Sequence, residues 1–345
     1  VTVPEIVYNN DNYADLLQLI AAQFKTRVQE HTLYLPEQYG EGYIWGMNMG
    51  DGMSVLLMDA KCKQPVQFKR VAGNSLFYIF QFNETQEEEE MTSHVFEKPV
   101  KTSDAVFTLQ QNVVMLTSSQ MTVHYTMPQG IRLRSVKIII EKKLLQQFLE
   151  PHVLDTFLST YFSQLVKTGN VEPIDADYRV LMDALLRSHT QHPLPFTYIT
   201  NRCMLLLEHF IVKFMKRAEG GKAFSRLKDD EINRLMRVEA QLVKDYTQQP
   251  PTIETLSKLA AMSPTKLKKD FKELYGLPIY EYFQKNRMKH ARSLLMEGRY
   301  SVKEVGTMVG YTNLSHFAGS FKKEFGLLPS SLGEMDETLT IERLE

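Results

Sequence analysis

Four lysines and a threonine fall within eight residues of the stretch Ser263-Pro264-Thr265-Lys266-Leu267-Lys268-Lys269-Asp270-Phe271-Lys272. Ammonium groups at this density suit a polyanion. A lysine can donate to guanine O6 or N7, and a threonine methyl can touch the methyl of thymine. Further lysines can neutralise phosphates, which positions a protein without specifying sequence. On a helix beginning at Pro264, Leu267 and Phe271 are four apart and face a core, leaving Thr265, Lys268 and Lys269 on the other faces. Ser263 stands just before that helix, and Lys266 and Lys272 read as phosphate contacts. A thinner set lies fifty residues on. Ser315 and His316 remain as readers and Lys322 and Lys323 as phosphate contacts, while Ala318 and Gly319 offer few hydrogen bonds to bases.

Catalytic and metal chemistry find less support. GEGYIWG (40–46) spaces its glycines one residue too long for a dinucleotide fingerprint and follows LPEQY, so it reads as a turn. His189 and His192 have no carboxylate or cysteine spaced to complete a metal site and read as a loop pair. His124 sits alone in a strand. Cys62 and Cys203 can build neither a disulfide framework nor a four-thiolate zinc site, and neither has a helix N-terminus or base in view. No catalytic residue, cofactor or metal is expected.

The lysine cluster needs elements to hold it, and the last hundred residues supply them as a repeat. TIETLSKLAAMSPTKLKKDFKELYGLP (252–278) is followed by SVKEVGTMVGYTNLSHFAGSFKKEFGLLP (301–329). Ile253 and Leu256 match Val302 and Val305 at an offset of 49. Leu267, Phe271, Lys272 and Gly276 match Phe317, Phe321, Lys322 and Gly326 at an offset of 50. The copies therefore differ by one residue in the turn between their two helices. Thr252 and Ser263 cap the helices of the first copy. Ser301 and then Asn313 or Thr312 cap those of the second. Pro264 suits a first helical turn, and Gly276 and Gly326 suit helix ends. Each copy is a helix-turn-helix, and a helix over 279–297 joins them. Charge agrees. Residues 222–332 hold 19 Lys+Arg against 12 Asp+Glu, a net of +7 in a chain whose total is −1.

This stretch, 252–330, resembles the DNA-binding domain of AraC/XylS-type transcriptional regulators. The matching residues are Leu256, Ala260, Ser263, Leu267, Phe271, Lys272 and Gly276, then Arg287, Ala291, Leu294 and Leu295. In the second copy they are Val305, Val309, Gly310-Tyr311, Ser315, Phe317, Phe321-Lys322, Gly326 and Pro329. PSSLGE stands where the family usually has an Arg after the final Pro. The resemblance implies two helix-turn-helix units bridged by a long helix, double-stranded DNA as partner, and RNA polymerase as a further one. It also implies a β-rich module that senses a small-molecule effector, a helix that makes a homodimer, and activation as one mode of control. The helical part after residue 170 is loosely similar to siderophore-responsive members.

The rest of the chain fits that plan. SVLLMDA (54–60), SLFYIFQF (75–82), AVFTLQQ (105–111), MTVHYTM (121–127) and VKIII (136–140) read as strands, with turns at Gly50-Asp51-Gly52, Gly73-Asn74 and Pro128-Gln129-Gly130. Glu87 to Glu90 reads as a solvated loop. Helices are expected on both sides of Pro151, over about 174–188, and over 197–217, where Ile199, Cys203, Leu206, Leu207, Phe210, Ile211 and Phe214 form one stripe. That stripe serves a dimer interface or a core equally well. Tyr43, Trp45, Phe77, Tyr78 and Phe80 could line an effector pocket or pack a β core.

The expected fold class is α+β: an N-terminal β-rich sandwich or barrel with following helices, and a C-terminal all-α domain. The expected segments are 1–140 for the sensing module, 141–221 for the helical segment, 222–332 for the DNA-binding domain and 333–345 for an acidic tail. No apolar run approaches the ~20 residues that span a bilayer, and VTVPEIVYNNDNYADLL lacks the marks of a signal peptide, so a cytoplasmic location is expected. The alternatives are an architectural DNA binder without an effector, or an enzyme fused to a DNA-binding domain.

Overall fold

The computed structural model describes residues 5–9, 12–73, 76–86, 105–106, 112–168, 172–188, 193–219, 227, 229–296 and 298–332. Asn74, the run Glu87–Glu90, residues 107–111, His189, His192, Gly220-Gly221 and the tail 333–345 lie outside them. The chain divides into two compact units, Val1–Phe224 and Ser225–Glu345.

The first unit is α+β. Its strands are β1 (Glu5–Tyr8), β2 (Thr32–Tyr34), β3 (Gly40–Gly50), β4 (Met53–Cys62), β5 (Val66–Arg70), β6 (Phe77–Gln86), β7 (Ala105–Val106), β8 (Val113–Ser118), β9 (Val123–Met127), β10 (Arg132–Glu141) and β11 (Glu172–Pro173). Its helices are α1 (Tyr13–Gln23), α2 (Lys142–Phe148), α3 (Pro151–Thr168), α4 (Ala176–Ser188) and α5 (Pro195–Glu219). The strands form two sheets, ordered β1-β5-β9-β7 and β11-β8-β6-β10-β4-β3-β2.

Alternation along the central strands builds two cores. On β10, Val136, Ile138 and Ile140 face one way and join Phe80 and Phe82 of β6 in a core with α2 to α5. Leu133 and Ile139 face the other way and pack with Ile79, α1 and the smaller sheet. The large sheet is therefore buried on both faces: a sandwich on one side, helices on the other. The α5 stripe is consumed here, since Cys203, Leu206, Leu207 and Phe210 are all within 1% of complete burial in this core.

GEGYIWG is not a turn. It opens β3, eleven residues paired along β4 and, at one end, along β2. Its glycines answer to close approach. A Cβ on Gly40 would lie 2.3 Å from the Lys61 carbonyl oxygen, and one on Gly42, whose φ is +100°, would lie 2.1 Å from that of Asp59.

The second unit is helical: α6 (Asp229–Val243), α7 (Ile253–Ala260), α8 (Pro264–Tyr275), α9 (Ile279–Met296), α10 (Val302–Met308) and α11 (Leu314–Phe325). α7 and α8 form the first helix-turn-helix, α10 and α11 the second, and α9 joins them. The one-residue difference between copies falls in the turn, since N-caps Thr252 and Ser301 are 49 apart and N-caps Ser263 and Asn313 are 50 apart. α6 lies outside the repeat yet packs on α7, α8 and α9. Its fully buried Glu239 accepts a hydrogen bond from the Tyr282 hydroxyl of α9 at 2.6 Å.

Candidate nucleic-acid interface

α8 is fixed at both ends. The Ser263 hydroxyl accepts from the Lys266 amide at 3.3 Å, Pro264 occupies the first turn, and Gly276 ends the helix at φ +79°. Leu267 and Phe271 are fully buried, which sets the helix rotation. At 100° per residue, Thr265, Lys268, Lys269 and Lys272 then share an arc of about 100° on the opposite face. All four are exposed. The ammonium groups of Lys268, Lys269 and Lys272 make no hydrogen bond or close ion pair among the described residues, although Lys268 stands near enough to Glu254 to help lower its pKa.

Lys266 differs from its neighbours. Its Nζ lies 2.6 Å from Asp270, whose carboxylate is buried, and 3.0 Å from Glu231 of α6. Those hydrogen bonds, Asp270 first, raise its pKa. Lys266 is thus tied to the packing of α6 on α8.

The second unit repeats this geometry with other residues. Asn313 caps α11 by accepting from the Ser315 and His316 amides at 2.8 and 3.2 Å. Phe317 and Phe321 are fully buried, and Gly326 ends the helix at φ +78°. The face equivalent to that of α8 carries Ser315, Ala318, Gly319 and Lys322, with His316 and Lys323 beside it. Around Gly319 nothing lies within 4 Å of where a Cβ would stand.

The other sequence candidates fall elsewhere. Trp45 and Tyr78 are buried in the core under α2 to α5, and Phe80 stacks edge-on against Phe210 at 5.6 Å. The Tyr43 hydroxyl donates to the Leu186 carbonyl at 2.5 Å, and burial raises its pKa. Phe77 packs on the opposite face of the sheet. Both cysteines are buried free thiols. Burial pushes the Cys62 thiol up to about 11 and raises that of Cys203 further, which disfavours the reactive thiolate. One group that the sequence reading missed, Asp175, Asp177 and His209, comes together in the first unit. The Lys213 ammonium sits 2.9 Å from Asp175 and also pairs with Glu172, so a side-chain cation already stands at that cluster.

Two helix-turn-helix units on a connecting helix, with one second helix exposing a basic face, define a DNA-binding helix-turn-helix domain. Comparison with known proteins agrees. A family model described as a helix-turn-helix domain matches residues 256–335. The HTH-type transcriptional regulator GlxA of Rhizobium meliloti (strain 1021) is 32% identical over 77 residues, covering 22% of this chain and 24% of that protein. The xylose operon regulatory protein of Escherichia coli (strain K12) is 30% identical over 80 residues, 23% of this chain and 20% of that protein. Among solved structures, a probable AraC family transcriptional regulator from Rhodopseudomonas palustris CGA009 is 28% identical, covering 30% of this chain and 96% of its own, with a TM-score of 0.27. Residues 256–335 therefore match a helix-turn-helix domain family. The match spans about a quarter of GlxA and a fifth of the xylose operon protein. No helix among the described residues is long and apolar enough to cross a membrane.

Proposed function

We propose that this chain is a sequence-specific transcription regulator that reads duplex DNA chiefly through α8. The observation that carries the reading is the single exposed face formed by Thr265, Lys268, Lys269 and Lys272, whose three ammonium groups make no hydrogen bond among the described residues. α8 enters the major groove, Thr265, Lys268 and Lys269 meet base edges, and Lys272 meets a phosphate. α11 docks in the next major-groove segment with Lys322 and Lys323 on phosphates. It reads less, because Ser315 and His316 are its only polar groups near the bases. α9, with 18 residues at 1.5 Å each, is about 27 Å long and supports a separation near one helical turn of DNA.

By the same reading the first unit is a regulatory module that responds to a small molecule, and RNA polymerase is the target of the bound protein. The names of GlxA and of the xylose operon regulatory protein are those of regulators, which supports regulation as the reading. A homodimer remains part of the proposal, through a surface other than the buried stripe of α5. The experiment is a titration of the full chain against duplex DNA at several salt concentrations. Affinity should fall steeply with salt through counterion release. DNA binding that is absent, or indifferent to salt, contradicts the reading.

A further inference from the structure

The first unit buries two cations without a carboxylate. Arg70 on β5 and Lys137 on β10 are each 5% exposed, and they approach one another from the two sheets of the sandwich. Neither forms an ion pair among the described residues. Arg70 donates from Nη2 to the Thr117 hydroxyl at 3.2 Å and to the Ser118 carbonyl at 3.0 Å, while its buried Nη1 has no hydrogen-bond partner. The Lys137 ammonium lies 4.1 Å from the centre of the Tyr125 ring. Both line a small cavity between the sheets, about 10 Å³, together with Tyr8, Tyr13, Tyr125 and Gln81.

An unpaired buried cation costs several kcal/mol of solvation, and two together add their mutual repulsion. Lys137 lies on the face of β10 that also carries Leu133, Ser135 and Ile139, all of them buried. Ser135 spends its hydroxyl on Asn83, which leaves the Lys137 ammonium without a carboxylate beside it among the described residues. Two cations and several hydroxyl and amide donors around one cavity are the composition of an anion site. The size restricts the ligand further, because a cavity of this volume admits about one water-sized sphere.

We infer that the cavity between the two sheets binds a monatomic anion of the size of chloride, held by Arg70 Nη1 and Lys137 Nζ. The inference concerns the first unit alone and stands whether or not that unit regulates DNA binding. The cations flanking the anion neutralise it, and the anion in turn keeps Lys137 charged. Burial first, and then the Arg70 charge, push the Lys137 ammonium down to about 7 without an anion. Burial raises the pKa of Tyr8, Tyr13 and Tyr125, and Arg70, though lowered by burial, stays charged, so Lys137 is the group facing the cavity that titrates near neutrality. Anion affinity should therefore weaken as pH rises from 6 to 9.

Trp45 is the chain's single tryptophan and is buried in the first unit, so its emission reports unfolding of that unit. The test measures its unfolding temperature in the full chain as sodium gluconate is exchanged for sodium chloride at constant ionic strength. The expected result is a saturable rise of about 2–4 °C at pH 6 that shrinks at pH 9. The rise should vanish in Lys137→Met and in Arg70→Met. Lys137→Met removes a buried charge and should fold well, which keeps the test available if Arg70→Met does not. Bromide-soaked crystals should show an anomalous peak between the two side chains. An equal shift when sulfate replaces gluconate, an unaltered chloride response in Lys137→Met, or bromide elsewhere only would overturn the inference. A response to formate or phosphate without one to chloride would equally overturn the assignment to a monatomic anion.

Discussion

Arg287 of α9 donates from Nη2 to the carbonyl of Gly310, at 2.5 Å, and so ties the connecting helix to the turn of the second helix-turn-helix. Its Nε donates to the carbonyl of Val309, and its guanidinium stacks 4.1 Å from the centre of the Tyr311 ring. Arg287 is 5% exposed, and burial lowers its pKa. One planar fork thus satisfies two carbonyls at the end of α10 and holds the turn that aims α11. Gly310 has φ +74°, and a Cβ there would lie 2.5 Å from the Tyr246 backbone carbonyl oxygen and 2.8 Å from Arg287 Nη2. Arg287→Lys cannot reproduce the fork and should destabilise the second unit by about 2–4 kcal/mol. Gly310→Ala should do so as well. Urea unfolding of each variant checks this, and stability within error of wild type would contradict it.

The lysines of α8 should separate into readers and anchors. Lys268→Ala and Lys269→Ala should each cost about 1–3 kcal/mol on the cognate site and relax preference at one or two base pairs. Lys272→Ala should weaken all sequences alike and reduce the salt slope. Competition binding against single-base-pair variants measures the difference. Equal, sequence-independent losses for all three would show a different reading face.

Lys266 should behave as a structural cation. Removing it leaves buried Asp270 without its ammonium partner, so Lys266→Ala should lower the thermal stability of the second unit more than Lys268→Ala does. Any loss of DNA affinity should then show no base preference. Paired melting and binding curves for the two variants decide it.

Gly319 is exposed in mid-helix with open space around it. Gly319→Ala should stabilise by about 0.5–1 kcal/mol, the ordinary helix-interior cost of glycine. Gly319→Lys should in addition raise affinity and add sequence preference in the half of the site facing α11. Denaturation and base-substitution profiles of these variants are the check.

Acid–base behaviour follows from Lys137. Its ammonium is held at about 7 in the folded chain against an ordinary 10.5. Between those values the unfolded chain binds a proton that the folded chain lacks, so stability rises with pH across that window. The penalty is fully present below pH 7. Trp45 emission in halide-free buffer should show the unfolding temperature climbing from pH 7 to 10. Lys137→Met should flatten that slope and be more stable than wild type at pH 7.

The elements visible in the sequence were those whose signals are local. The two helix-turn-helix units announce themselves through Thr252, Ser263 and Ser301 as caps, Gly276 and Gly326 as stops, and the paired phenylalanines between. The helix around Phe210 shows through its stripe. β3 was hidden because Gly40, Gly42 and Gly46 look like a turn, when their lack of a Cβ serves the approach of β4 and, at Gly46, of Leu17. α6 carries the apolar spacing of Ile232, Leu235, Met236 and Leu242, but stands outside the repeat. Of the candidate interface, the residue types on α8 were legible. The diversion of Lys266 was only half legible: Asp270 stands four residues on along the same helix, but the second partner, Glu231, lies thirty-five residues upstream. Arg70 and Lys137 are sixty-seven residues apart on different sheets, and no spacing rule connects them.

The central claim is that one protomer reads DNA unequally with two helices about one turn apart. Substitution of every base pair in a footprinted site, with binding measured for each, tests it most directly. The account predicts protection of roughly 20 bp of non-palindromic sequence, strict in the half facing α8 and lax in the half facing α11. Equal information in both halves, or a single half-site of roughly 6 bp, would contradict it.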